Sequence, residues 1–411
     1  MSQVSISRRF KVLAAASLLA LGVAACGDGD GDGGGSDEAI KIGTSLPLTG
    51  EFSQPGQAAE EGYKVWQEMV NADGGLLDRD VELVIKDDAS NQNTIVADYN
   101  ALISQDKVDL LLGTFSSLLN LPASAVAERN QMLYVEPAGG SPEMFTRDFQ
   151  YLFFTQQATA DKQGVVFAQW IADLPEDQRP KTAAYPTIDD PFAAPNVEGV
   201  KQILEDAGVE TVYEETYAID TKNFDTIVNA MKAENPDLVV HGAVFEDGVG
   251  MVRSMLKANF TPDWLYQTTA PSLGEQYAKA IGPENTEGIM FAISHAPSAN
   301  TPGNEEFVNK YDEMFGGEPP EDAADAYASG QVLQAAVEAV GSIDDQAALA
   351  DWLRDNTVET ILGDLEWNDD GSPNGEFLIG QWQGDSVQFV LPEDLATTDT
   401  IVEGWKPGGA G

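Results

Sequence analysis

Ile40-Lys41-Ile42-Gly43-Thr44-Ser45-Leu46, followed by Pro47-Leu48-Thr49-Gly50, is the stretch that decides the fold. A short apolar run that ends in turn formers reads as a buried strand. Gln57 to Ala72 then spaces its apolar residues as a helix does, and Gly74-Gly75 stops it. Val81 to Ile85 is the next strand, Thr94 to Gln105 a helix and Val108 to Leu112 a strand. Leu121 to Glu128 is again a helix and Met132 to Val135 a strand. Short strands alternating with helices build βαβ units, so the sheet is mostly parallel, with helices on both faces.

The alternation restarts after Thr155. Helices are predicted over Gly164 to Ile171, Val197 to Ala207, Phe224 to Lys232 and Val249 to Lys257. Strands are predicted over Thr182 to Tyr185, Val212 to Tyr217, Leu238 to Val240, Trp264 to Tyr266 and Ile289 to Ile293. Asn304 to Phe315, Asp322 to Val340 and Gln346 to Asp355 are helical, without matching strands. Phe377 to Trp382 and Val387 to Leu391 form a hairpin around Gly384-Asp385. The expectation is an α/β fold of two lobes, each a mostly parallel sheet flanked by helices, with a cleft between them. Lobe 1 is expected to take residues 39–156 plus 295–377, as the late helices return to cover it. Lobe 2 takes 157–294 plus 378–405.

Composition supports two lobes and excludes several functions. The chain has 411 residues, which is long for one compact core. It carries 22 Lys plus Arg against 68 Asp plus Glu, a formal charge of -46. That balance excludes nucleic-acid binding, which rests on cations meeting phosphate. Hydrophobic content of 43% excludes a disordered acidic tail. With a single cysteine, Cys26, no internal disulfide forms. Two histidines, His241 and His295, lie too far apart in sequence to suggest a zinc site and read as structural. Neither a nucleophile elbow, a metalloprotease motif nor a phosphate loop occurs, so no enzyme activity and no cofactor are expected. Asp87-Asp88 and Asp189-Asp190 read as solvated acids or helix caps rather than a hydrolytic pair.

The N-terminus carries a separate message. Arg8, Arg9 and Lys11 precede an apolar run from Val12 to Ala25, too short for a membrane span of roughly 20 residues. This reads as a secretory signal over residues 1–25. Val23-Ala24-Ala25-Cys26 resembles the lipobox of bacterial lipoproteins, which implies a diacylated Cys26 at the mature start. Ser7-Arg8-Arg9-Phe10-Lys11 loosely resembles a twin-arginine signal. Gly27 to Glu38 contains only Gly, Asp, Ser and Glu and reads as a flexible tether.

In open parallel sheets, ligands bind outside the carboxyl ends of the strands. Those ends here hold Pro47 to Gly50, Gly113-Thr114-Phe115-Ser116-Ser117 and Glu136-Pro137-Ala138-Gly139-Gly140-Ser141-Pro142. Small polar residues at strand-to-helix junctions leave backbone N–H groups free for a polar ligand end. These loops carry a resemblance. Ile40 to Gly43, Leu46 to Gly50, Gly56-Gln57, Ile85 to Ser90 and Pro137 to Pro142 resemble the leucine/isoleucine/valine-binding protein family. Asp189-Asp190-Pro191-Phe192 and Gly380-Gln381-Trp382-Gln383 look like a branch of it.

The resemblance spans nearly the whole mature chain. It implies the type I periplasmic-binding fold and a solute receptor that serves an ABC importer, as a monomer working with a permease and an ATPase. The alternative is a sensor domain that acts through a separate signalling partner. The resemblance also implies ligand contacts at Ser116, Ser117, Ala138, Gly140 and Ser141 in the first lobe. In the second lobe it implies contacts at Phe192, Val244, Phe245 and Thr268. The family's acidic partner for an α-ammonium group falls near Thr268 or Thr269, where no acid stands, and Glu246 is the nearest. This favours an aromatic acid, short carboxylate, amide or urea-like solute over a branched-chain amino acid.

Overall fold

The computed structural model describes residues 38–393 and 395–408. The signal segment, Cys26 and the tether up to Asp37 lie outside the described residues. The first sheet contains β1 (Ile40–Leu46), β2 (Val81–Asp87), β3 (Leu110–Leu112), β4 (Tyr134–Glu136) and β5 (Leu152–Phe154). Its connecting helices are α1 (Ser53–Ala72), α2 (Gln92–Ala101) and α3 (Ser117–Arg129). Every pair is parallel, in the order β2-β1-β3-β4-β5. Central β1 is buried at six of seven positions, whereas edge strand β2 is mostly half-exposed, as burial on both faces dictates.

The second sheet contains β6 (Thr182–Ile188), β7 (Glu210–Tyr217), β8 (Leu238–His241), β9 (Trp264–Gln267) and β10 (Met290–Ile293). Its helices are α4 (Ala160–Gln163), α5 (Val165–Asp173), α6 (Ala193–Asp206), α7 (Asp225–Glu234), α8 (Phe245–Lys257) and α9 (Glu275–Ile281). Next come α10 (Asn304–Phe315), α11 (Glu321–Val340) and α12 (Gln346–Asp355). A short ribbon of β11 (Val358–Thr360) and β12 (Gly363–Leu365) precedes the hairpin of β13 (Leu378–Gln383) and β14 (Ser386–Leu391). The hairpin adds to β10 antiparallel, giving the order β14-β13-β10-β9-β8-β6-β7.

The late helices serve the first sheet. Phe307, Tyr311, Ala324, Leu333, Val337 and Leu349 share one core with Ile40, Ile42, Leu110 and Leu112. The chain therefore passes between the sheets three times: after β5, after β10 and before β13. The start of α11 pins two of these passages. Asp325 accepts hydrogen bonds from Gln156 Nε2 and Ser294 Oγ, and Glu321 accepts one from the Ser294 N–H.

Element starts differ from the sequence reading. α3, α6 and α8 begin at Ser117, Ala193 and Phe245, about one turn before the predicted Leu121, Val197 and Val249. Their first turns sit at strand-to-helix junctions and mix apolar residues (Leu118, Leu119, Phe245) with small, polar or acidic ones, so apolar periodicity does not mark where they start. Pro122 lies inside α3. It offers no N–H to the Leu118 carbonyl, and Gln92 Nε2 donates there instead at 3.0 Å. Three-residue β5 carried too little pattern to be read.

Candidate ligand-binding cleft

The carboxyl ends of β3 and β4 meet those of β6, β8 and β9 around one cavity of about 30 Å³. Both sheets change strand direction of growth here, between β1 and β3 and between β6 and β8, which is where α/β sheets bind ligands. Phe115, Ser116 and Ala138 form one wall. Asp190, Phe192, Val244, Phe245, Thr269 and Ser272 form the other. Gln156, Gln163, Ala292 and Phe377, with Glu321 and Asp322 of α11, close the base.

Five of the predicted contacts line the cavity: Ser116, Ala138, Phe192, Val244 and Phe245. The other four stand behind its walls. Ser117 is fully buried, and its Oγ accepts the Ser141 N–H at 3.0 Å, so it braces the loop. Ser141 Oγ accepts the Glu143 N–H and caps a 3-10 turn. Thr268 Oγ1 accepts the Ala243 N–H at 2.9 Å and returns its proton to the Ala243 carbonyl. Its neighbour Thr269 takes the place on the wall. Gly140 lies under the aromatic rings: a Cβ there would stand 3.3 Å from Phe154 and 3.4 Å from Phe192.

No acid stands at Thr268 or Thr269, yet acids from elsewhere do line the cavity. Asp190, Glu321 and Asp322 all line the cavity, while Glu246 is exposed and off it. Asp190 was read as a cap, and it is one: Oδ1 accepts the N–H groups of Phe192 at 2.8 Å and Ala193 at 3.3 Å. Its position just past β6 is the signal that marks it as cleft-facing too. Glu321 and Asp322 come from a helix of the other sheet, which only the third dimension brings near.

Beneath the first wall lies Glu136, fully buried. Its Oε2 accepts the N–H groups of Ala138 and Gly139 and the side chain of Asn120. Burial outweighs these bonds and pushes its carboxyl up to about 8.

One family model, described as periplasmic binding protein, matches residues 39–386. The chain belongs to that family. This periplasmic binding protein is 26% identical over 354 residues to the amino acid binding protein of Pseudomonas aeruginosa, covering 86% of this chain and 92% of that one. It is 26% identical over 369 residues to the Leu/Ile/Val-binding protein of Escherichia coli K12, covering 85% and 92%. Its fold superposes on a leucine binding protein of Thermotoga maritima with a TM-score of 0.77 at 21% identity, over 87% of this chain and 100% of that one. An ABC transporter solute binding protein of R. palustris, solved with benzoate, gives a TM-score of 0.76 at 19% identity, over 89% and 99%.

In this periplasmic binding protein, a polar network supports the second wall. Tyr217 donates to Asp247 Oδ2 and contacts His241 Nε2 at 2.7 Å. Asp247 Oδ1 accepts the Val244 N–H at 3.0 Å, which fixes the start of α8 at the cavity. Burial pushes Asp247 up to about 7 and His241 down to about 3, so the imidazole is neutral and structural. His295 is likewise buried, held by Asn304 and pushed down to about 4. Among the described residues, no group of three or more His, Cys, Asp or Glu is arranged to hold a metal ion. Among them, too, no helix is long and apolar enough to cross a membrane.

Proposed function

We propose that this chain is a lipid-anchored, monomeric receptor that captures a small polar organic solute and delivers it to the permease and ATPase of an ABC importer. The observation that carries this reading is the cavity at the facing carboxyl ends of both sheets. Residues 39–156 with 295–377, and 157–294 with 378–405, act as the two lobes. They hinge on the three connecting passages. Walls from both lobes make the closed form the tighter binder, so ligand shifts the population toward it. The leucine- and benzoate-related relatives place amino acids and aromatic acids among the first solutes to try. A binding role without turnover is the reading consistent with the family.

A thermal-shift screen over amino acids, amines, amides, ureas and aromatic acids tests capture. A solute at 100 times its Kd should add about 2.7 kcal/mol of stability. The same solute should reduce the radius of gyration in small-angle scattering. A bound solute that leaves this radius unchanged would remove hinge closure from the proposal.

Anchoring rests on the lipobox-like Val23 to Cys26. Cys26→Ser should abolish lipid labelling and move the protein from membranes to the soluble fraction. Normal processing and full membrane retention of that variant would refute the anchor.

A further inference from the structure

A second cavity, of about 460 Å³, lies beside the first and shares Ser272, Leu273 and Glu321 with it. Tyr311 and Phe315 of α10 line one side, and Gln276 of α9 and Trp382 of β13 line the other. His295, on the passage after β10, joins them. Phe315 is 37% exposed and gives the cavity an apolar wall.

Three polar atoms of this lining have no hydrogen-bond partner: His295 Nδ1, Trp382 Nε1 and Gln276 Oε1. His295 is 2% exposed and Trp382 is 3% exposed. Unpartnered groups at such depth are uncommon and costly. Their surroundings fix what each can do. Asn304 Nδ2 donates to the carbonyls of Ala299 at 2.8 Å and Pro297 at 3.2 Å, so its Oδ1 faces the imidazole. His295 Nε2 therefore carries the proton and donates to that oxygen at 2.7 Å. Burial keeps the ring neutral, which leaves Nδ1 as an acceptor. Trp382 Nε1 only donates, and Gln276 Oε1 only accepts.

The lining thus offers two acceptors and one donor. A primary carboxamide or a urea offers the complement: two N–H bonds on one nitrogen and a carbonyl oxygen. A carboxylate brings no N–H for His295 or Gln276, and an ammonium brings no acceptor for Trp382.

We propose that this cavity is a second ligand site, which takes a neutral primary amide or urea on a small apolar body. Both lobes line it, so its occupant clasps them in the closed form. The site does not depend on which solute the first cavity takes.

Nuclear magnetic resonance of protein carrying isotope-labelled tryptophan tests it. The indole N–H signal that disappears in Trp382→Phe belongs to Trp382. Benzamide or phenylurea should move that signal downfield, and benzoate and benzylamine should need at least about 10-fold higher concentrations to do so. Trp382→Phe and Gln276→Leu should melt like the parent and weaken the amide about 5-fold or more. Should Trp382→Phe melt early, Gln276→Leu, at a half-exposed position, carries the comparison. The bound amide should also reduce the radius of gyration. If neither amide moves the signal, the site is overturned. If benzoate or benzylamine moves it at a lower concentration than both amides, the amide class is overturned. Parent-like amide affinity in both variants puts the amide elsewhere and overturns the placement. An unchanged radius of gyration overturns the clasp. None of these results removes the receptor reading, which rests on the first cavity.

Discussion

Gly62→Leu should destabilise the protein by about 3 kcal/mol or more, because it drives a side chain into backbone. A Cβ at Gly62 would stand 2.0 Å from the Ala323 carbonyl oxygen and 2.9 Å from the Ala323 Cα. Those atoms belong to α11 and have no rotamer to escape into, so α1 and α11 must separate. Both helices share the core that covers the first sheet, through Tyr63 and Trp66 on one and Ala326 and Val332 on the other. Gly330→Ala meets the Trp66 ring at 2.3 Å instead. A ring can tilt, but Trp66 is buried and its Nε1 donates to Gln334 at 3.2 Å. The cost there should be smaller than at position 62. Denaturant unfolding measures both. A Gly62→Leu variant within 0.5 kcal/mol of the parent would show that the helices do not approach this closely.

Glu136→Gln should change how stability depends on pH. In the unfolded chain this carboxyl titrates near 4.5, and in the fold burial raises it to about 8. Between those values the native state holds a proton that the unfolded state has lost. Glu136 therefore lowers stability as pH rises through that window, and the loss is complete above about 8. His241 and His295 act in the opposite sense. They are neutral in the fold down to about 3 and about 4 and charge near 6.5 when unfolded. Their contribution is complete above that value. From pH 6.5 to 8 the decline from Glu136 is thus not offset by the histidines and amounts to about 2 kcal/mol. Asp88 and Asp247, raised to about 7, add to the decline in parent and variant alike. Unfolding free energies measured across this range should fall less steeply in the glutamine variant. Parallel curves would mean that Glu136 is already ionised in the fold.

The alternation that opens at Ile40 made the architecture legible, because buried parallel strands advertise themselves as apolar runs between helices. The return of α10 to α12 could be read from helices that had no strand to flank. The cleft was legible wherever a strand end coincided with a small polar loop, as at Ser116 and Ala138. Sequence alone does not tell which way neighbouring residues point. Ser117 and Thr268 turn inward, while Ser116 and Thr269 face the cavity. Which of two adjacent hydroxyls faces a ligand depends on the helix start, and first turns leave no periodic signal. Glu321 and Asp322 were invisible as site residues because α11 reaches the cavity from the far side of the chain's last crossing.

The return of the late helices also sets a timetable. β5 ends at Phe154, and α10 starts at Asn304, about 150 residues further on. Synthesis at roughly 5–20 residues per second separates the two by about 8–30 s. Through that interval α1 alone covers the face built from Ile40, Ile42, Leu110, Leu112 and Val135. Such a half-covered sheet is sticky, so the growing chain needs a holder or must be kept unfolded until α10 to α12 are made. A chain cut before Asp355 forfeits the cover of its first sheet, however intact the residues of that sheet are.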